Sequence, residues 1–242
     1  MEIEEYRRAA VKVGLPLQFV IKEFAMFELL SKLISSLEWP LVGGTAINRI
    51  YLGELGRFSE DLDFEVYGKK KISLPQVDGF ERSGPFVYRR NVRFEYSFRS
   101  PLGKDKIRMD FNLKPAAEIE TEMKVIRFVS GGVIAGVKTF SIEALIARKI
   151  FALAFRNEGK DIYDLWMCRS LVEKKKLKKE LEAILRIERQ KESAAEFLEI
   201  VFAKAKSAHA SELAKINPYI PVDKRVDWKI AAADVAEFLE GL

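Results

Sequence analysis

The clearest pattern in the chain is the alternation around residue 63: Leu62, Phe64 and Val66 fall on one side, Asp61, Asp63 and Glu65 on the other. A period of two belongs to a strand with one buried face, here opposed by a face of carboxylates. A second alternating run spans 86–99. Phe86, Tyr88, Val92, Phe94, Tyr96 and Phe98 share one parity there, and Arg89, Asn91, Arg93, Glu95, Ser97 and Arg99 the other. Turn residues follow at 100–105. The chain then returns over 106–113 with Ile107, Met109 and Phe111 opposed to Arg108, Asp110 and Asn112, which predicts a hairpin.

Elsewhere the period is helical. Residues 3–12 predict a short helix stopped at Gly14-Leu15-Pro16. Residues 17–36 predict a long amphipathic helix through Phe19, Val20, Phe24, Phe27, Leu30, Leu33 and Ile34, with Lys32 out of pattern. Leu41-Val42 reads as a short strand entering a Gly-Gly turn, 46–52 as a helix, 68–85 as turn-rich, and 125–135 as strand interrupted by Gly131-Gly132. Beyond about residue 138 the chain is nearly all helical, at 141–156, 160–172, 173–190, 192–208 and 229–241, with Pro218 and Pro221 in a loop before the last. The predicted fold class is therefore α/β (α+β). A small mixed β-sheet core flanked by helices occupies 1–138, and an all-helical C-terminal part occupies 139–242.

Composition narrows the class. A chain of 242 residues with 48% hydrophobic and 32% charged positions is ample for a core and reads as soluble and globular. No window approaches twenty uninterrupted apolar residues, so no membrane span is expected. The charged start MEIEEYRRAA lacks the apolar region of a secretory signal, which makes a cytoplasmic location the expectation. One cysteine, Cys168, excludes an internal disulfide, and one histidine, His209, argues against histidine-based zinc sites and a Ser-His-Asp triad. The net charge of +5 suits a partner rich in phosphate.

The chemistry concentrates at 41–67. Gly43 and Gly44 let the backbone approach a phosphate, and the Thr45 hydroxyl and nearby N–H groups are donors for it. Asp61 and Asp63, about 7 Å apart on one strand face, are oxygen ligands of the kind hard divalent cations take. A phosphate cradle beside metal carboxylates is the equipment of phosphoryl or nucleotidyl transfer. A second constellation lies at 141–166. Lys149 falls within the apolar stripe of Ile142, Leu145, Ile146, Ile150 and Leu153, and Arg156 follows it by seven on the same face. A cation there either reaches a cleft or partner, or snorkels from the core edge. Asp161 and Asp164 share a face of the next helix. Asp161 sits near its N-terminus, where it either caps or serves a site.

Gly43-Gly44-Thr45-Ala46, the stretch Arg57-Phe58-Ser59-Glu60-Asp61-Leu62-Asp63-Phe64 and the later Lys160-Asp161-Ile162-Tyr163-Asp164-Leu165 together resemble the AbiEii/AbiGii (MenA-type) toxin nucleotidyltransferases of the DNA polymerase β-like superfamily. The resemblance covers roughly residues 17–167, with Lys160 where the family usually has arginine. It implies that Asp61, Asp63 and a third acid, Asp110, hold two Mg²⁺ ions. Asp105 competes for the third role from a turn position. Gly43, Gly44, Thr45 and Ser59 would hold the phosphates of an NTP, and Lys149 its triphosphate with Arg156 beside it. Asp161, with Asp164, would support the site or orient Lys149, and the helical part would complete the active-site cleft.

The implied reaction moves an NMP from an NTP, ATP or another, to an acceptor hydroxyl. The implied acceptor is RNA at a tRNA 3′ end, in a type IV-like toxin–antitoxin or abortive-infection system with a cognate antitoxin. Alternatives are transfer to protein or small-molecule hydroxyls, or a non-catalytic nucleotide- or RNA-binding member. Arg89, Arg93 and Arg99 on the hairpin, and the lysines at 174–179, are either contacts for an RNA backbone or solvated charge.

Overall fold

In a computed structural model the chain is described at residues 2–53, 56–68 and 71–242. Glu54 and Leu55 of the motif stretch, and Lys69 and Lys70 of the turn-rich one, lie outside the described residues. The chain forms two compact units, one running to Thr139 and taking in Tyr219–Asp223, the other comprising Phe140–Pro218 and Lys224–Leu242.

The first unit is built on a seven-stranded mixed sheet: β1 (Leu41–Val42), β2 (Asp61–Tyr67), β3 (Glu81–Tyr88), β4 (Asn91–Ser100), β5 (Gly103–Lys114), β6 (Glu122–Arg127) and β7 (Val133–Thr139), in the order β3-β4-β5-β2-β1-β7-β6. The β2–β5 and β1–β7 pairs are parallel and the other neighbours antiparallel. One face of β4, β5 and β2 is apolar, formed by Val92, Phe94, Tyr96, Phe98, Ile107, Met109, Phe111, Leu62, Phe64 and Val66, all buried. Helix α1 (Ile3–Val13) ends at Gly14 in the left-handed conformation, and α2 (Leu17–Leu33) packs on that face against β5. Helix α2 also carries Glu23, whose carboxylate pairs with Arg49, both buried. The hydrophobic pattern did not mark this ion pair.

Three expectations change. The run 86–99 is two strands. A turn at Arg89-Arg90 joins β3 to β4, and Val87 pairs with Val92 across it. The two-residue turn preserved a period-two match across what is really a reversal, so Phe86 and Tyr88 do not share the buried face of Val92 and Phe94. Asp105 is a strand residue, not a turn residue. It stands on the face of β5 opposite Asp110, 3.9 Å from Lys22 of α2. The helix expected at 46–52 begins earlier: α3 (Gly43–Ala46) starts on the glycine pair and continues as a π-helical turn, Ile47–Tyr51.

The second unit contains α4 (Ile142–Phe155), α5 (Gly159–Cys168), α6 (Lys174–Ile187), α7 (Ala194–Lys206), the short α8 (Ala210–Leu213) and α9 (Trp228–Glu240). Ser141 caps α4, Ser193 caps α7 and Asp227 caps α9, each accepting a hydrogen bond from a first-turn N–H. Ile146, Ile150, Leu153, Ile162, Leu165, Leu177, Leu181, Val201 and Val235 supply its core. The lysines of α6 face solvent while Leu177 and Leu181 turn inward.

Candidate active site

The carboxylate face of the sheet is assembled by register. Asp63 of β2 pairs directly with Asp110 of β5, and Asp61 with Arg108. On the other side Asp110 is opposite Arg93 of β4. Side chains of directly paired residues emerge on the same face, so Asp61, Asp63 and Asp110 stand together on adjacent strands about 4.8 Å apart. None of these strand neighbours is near in sequence.

Asp110 and Asp61 accept paired hydrogen bonds from arginine. Arg93 donates to Asp110 through Nε at 2.9 Å and Nη2 at 3.0 Å. Arg108 donates to Asp61 through Nε at 2.8 Å and Nη2 at 3.3 Å. The hydrogen bond from Arg93 to Asp110 holds that guanidinium above its ordinary pKa. For Arg108, burial alone acts downward, but the Asp61 charge and hydrogen bonds outweigh it and the net shift is upward. These carboxylates thus already bind cations in the geometry of the sheet.

The glycine turn is fitted against this face. Gly43 has a left-handed φ of 71°, and a β-carbon there would stand 2.7 Å from Asp63 Oδ2. A β-carbon on Gly44 would meet Arg57 Nη2 and Ser59 Oγ, each at 2.7 Å. The turn is tied from below. Thr45 Oγ1 donates to the Asp61 carbonyl at 2.6 Å, and Asn48 Nδ2 donates to the Gly44 carbonyl at 2.9 Å. The Arg57 N–H donates to Asn48 Oδ1 at 2.8 Å. The Thr45 hydroxyl, read from sequence as a phosphate donor, is buried and binds β2 to α3, and Ser59 lies against the buried Gly44.

One contributor had no sequence signal. Tyr219, about 160 residues beyond the motif, accepts the Phe58 N–H at its carbonyl at 2.7 Å, and its ring stacks on Phe19 at 4.7 Å. Its hydroxyl donates to Glu60 Oε2 at 3.2 Å. The Arg57–Glu60 stretch is thereby braced from the far end of the chain. Arg108, by contrast, was visible in the pattern, two residues before Asp110 on the same strand face.

The second unit gathers the other predicted residues. Lys149 of α4 lies between two carboxylates of α5, with Nζ 2.9 Å from Asp161 Oδ1 and 2.9 Å from Asp164 Oδ2. Lys149 is 6% exposed and both aspartates 0%. Arg156 adds hydrogen bonds to Asp161, from Nε at 2.7 Å and Nη2 at 3.0 Å. Burial acts to raise the Asp161 carboxyl, but the Lys149 charge and the Arg156 hydrogen bonds overcome it and hold the group at about 2. Two cations and two anions close the cluster, which satisfies charges that would otherwise be costly to bury.

Carboxylates gathered on one sheet face beside a glycine turn are what a nucleotidyltransferase requires. The chain belongs to the AbiEii family, described as the nucleotidyl transferase AbiEii toxin of type IV toxin–antitoxin systems, whose model matches residues 25–240. Among solved structures the fold is similar to MenT4, a nucleotidyltransferase toxin from Mycobacterium tuberculosis H37Rv, with a TM-score of 0.67 at 17% identity over 100% of this chain and 90% of that one. It is also similar to a putative nucleotidyltransferase from H. pylori, with a TM-score of 0.60 at 19% identity over 93% of this chain and 95% of that one. JHP933 from Helicobacter pylori gives a TM-score of 0.59 at 18% identity over 93% and 92%. No curated protein matches the chain in sequence. No helix among the described residues is long and apolar enough to cross a membrane.

Proposed function

We propose that the protein transfers a nucleoside monophosphate from an NTP to a hydroxyl of an RNA acceptor at a tRNA 3′ end, and that this arrests growth unless a cognate antitoxin intervenes. The observation that carries this reading is the single face on which Asp61, Asp63 and Asp110 stand in register beside the Gly43-Gly44 turn.

The donor set fits Mg²⁺ in kind. All three groups are hard carboxylate oxygens, and Asp61 and Asp110 already accept cationic guanidinium partners. Arg93 and Arg108 now occupy Asp110 and Asp61, so both yield when Asp61, Asp63 and Asp110 hold the ion. When bound, Mg²⁺ supplies charge neutralisation at the α-phosphate. The acceptor oxygen forms a bond to the α-phosphorus, the bond to pyrophosphate breaks, and the Asp110 carboxylate receives the hydroxyl proton. Gly43, Gly44 and Ser59 receive the β- and γ-phosphates. Within the second unit, Arg156 has a side chain that reaches solvent, 42% exposed, while Lys149 is buried and positions Asp161 and Asp164.

The test is incubation with each NTP radiolabelled at the α-phosphate, with Mg²⁺ and total tRNA, beside Asp63→Asn. Label on RNA with the wild type alone supports the reading and identifies the base. Label on protein or on a small molecule, with none on RNA, refutes the RNA acceptor.

A further inference from the structure

Two large aromatic side chains lie in water on the carboxylate face: Phe86, 41% exposed, and Tyr88, 55% exposed. The two-residue turn at Arg89-Arg90 sets this face through the pairs Tyr88–Asn91 and Phe86–Arg93, and the register of β3 shifts only beyond them, between Ser83 and Phe86. Phe86 pairs with Arg93, Arg93 with Asp110 and Asp110 with Asp63, so the four form one row across the sheet. Tyr88, Asn91, Asn112 and Glu65 form the next row. Strand spacing places Phe86 roughly 14 Å from Asp63, and the two rings about 7 Å apart along β3. The Arg93 guanidinium lies 5.9 Å from the centre of the Tyr88 ring. Arg89 and Arg90 stand exposed at the turn beside it.

Exposed rings on the edge strand of a sheet, interleaved with guanidiniums, match the chemistry of unpaired nucleic acid. The rings stack bases, which all present a π-face, and the cations meet phosphates. These rings are flanked by Arg89, Arg90 and Arg93 and lie in register with Asp110 and Asp63, so a strand stacked on them runs toward the carboxylates.

We propose that Phe86 and Tyr88 form a stacking platform for the unpaired bases that precede the acceptor hydroxyl of a single-stranded RNA end. This rests on the RNA-acceptor reading and narrows it. The tail crosses β3, β4 and β5 toward Asp63 on β2, so the acceptor must present unpaired nucleotides; a blunt duplex cannot lay its bases on the sheet.

The test measures fluorescence anisotropy of a short labelled single-stranded RNA and of a blunt duplex of the same sequence, with wild type, Phe86→Ala/Tyr88→Ala and Phe86→Tyr/Tyr88→Phe. The expected result is preference of the wild type for the single strand. A loss of about tenfold or more is expected in the double alanine variant, from stacking of about 1–3 kcal/mol per base, with affinity kept in the aromatic swap. Because both rings are exposed, the melting temperature and NTP affinity stay unchanged. Equal wild-type affinity for single strand and duplex, or single-strand affinity indifferent to loss of the rings, overturns the proposal. Nucleotide transfer is scored separately. Ring-dependent strand binding without transfer to RNA refutes the acceptor reading and leaves the platform standing. Transfer to RNA with ring-independent binding refutes the platform alone.

Discussion

Gly43 and Asp63 are packed so closely that a methyl group on Gly43 would stand 2.7 Å from the Asp63 carboxylate. The glycine turn and the strand that carries Asp63 are therefore one fitted object, joined also by the Val42–Asp63 pair of β1 and β2.

Gly43→Ala is expected to destabilise the first unit by about 1–2 kcal/mol from the left-handed backbone alone, and to push Asp63 from its place. Urea unfolding reads the first effect and calorimetric titration with Mg²⁺ the second. An alanine variant with wild-type stability and metal affinity would mean that the turn tolerates a side chain.

Chelation should abolish transfer and added Mg²⁺ restore it. Asp63→Asn, which keeps the shape and removes the charge, should lower transfer at least about a hundredfold, equivalent to ~2.7 kcal/mol. It should also weaken Mg²⁺ binding measured directly. Metal binding that survives the substitution would show that Asp63 is not a ligand.

Lys149→Ala leaves Asp161 and Asp164 buried with one cation fewer, a change that costs about 3–5 kcal/mol in comparable buried pairs. Guanidinium chloride unfolding checks this. If stability is kept and only NTP affinity falls, Lys149 is a triphosphate ligand rather than a buried positioning group.

Asp161 also sets a pH response. Its carboxyl titrates at about 2 in the folded chain against an ordinary 3.8, so the unfolded chain binds the proton more readily. The resulting stability, about 2 kcal/mol, is present above pH 4 and is lost as pH falls from there toward 2. In Asp161→Asn this part of the acid dependence, followed by circular dichroism, should disappear.

Tyr219→Phe keeps the stack on Phe19 and loses only the bond to Glu60, a change of about 1 kcal/mol. Tyr219→Ala loses the stack as well and should cost about 2–3 kcal/mol. Equal melting temperatures for the two variants would show that the ring does not brace the Arg57–Glu60 stretch.

Most elements of the sheet and bundle were legible because their periods are local. Alternation over Asp61–Tyr67 and the helical stripe of Ile142–Phe155 follow from side-chain direction alone. The turn at Arg89-Arg90 was not, since a two-residue reversal leaves the period-two count intact while exchanging the faces of Phe86 and Tyr88. The site was legible as a list of carboxylates and glycines. That Arg108 pairs with Asp61 was not, because it depends on which strand lies beside β2, and the role of Thr45 was not, because it depends on how α3 packs against β2.

The sequence by itself determined that Asp61 and Asp63 share a strand face, that glycines precede them, and that the chain turns helical after about residue 138. Each is a property of spacing within one element. The tertiary structure alone decided that Asp110 stands opposite Asp63, that Arg93 and Arg108 hold two of the carboxylates, and that Tyr219 returns to the first unit. It also decided that Lys149 is enclosed by two aspartates. Those outcomes depend on strand register and helix docking, set by hydrogen bonds and burial between segments far apart in the chain, and local periodicity carries no information about them.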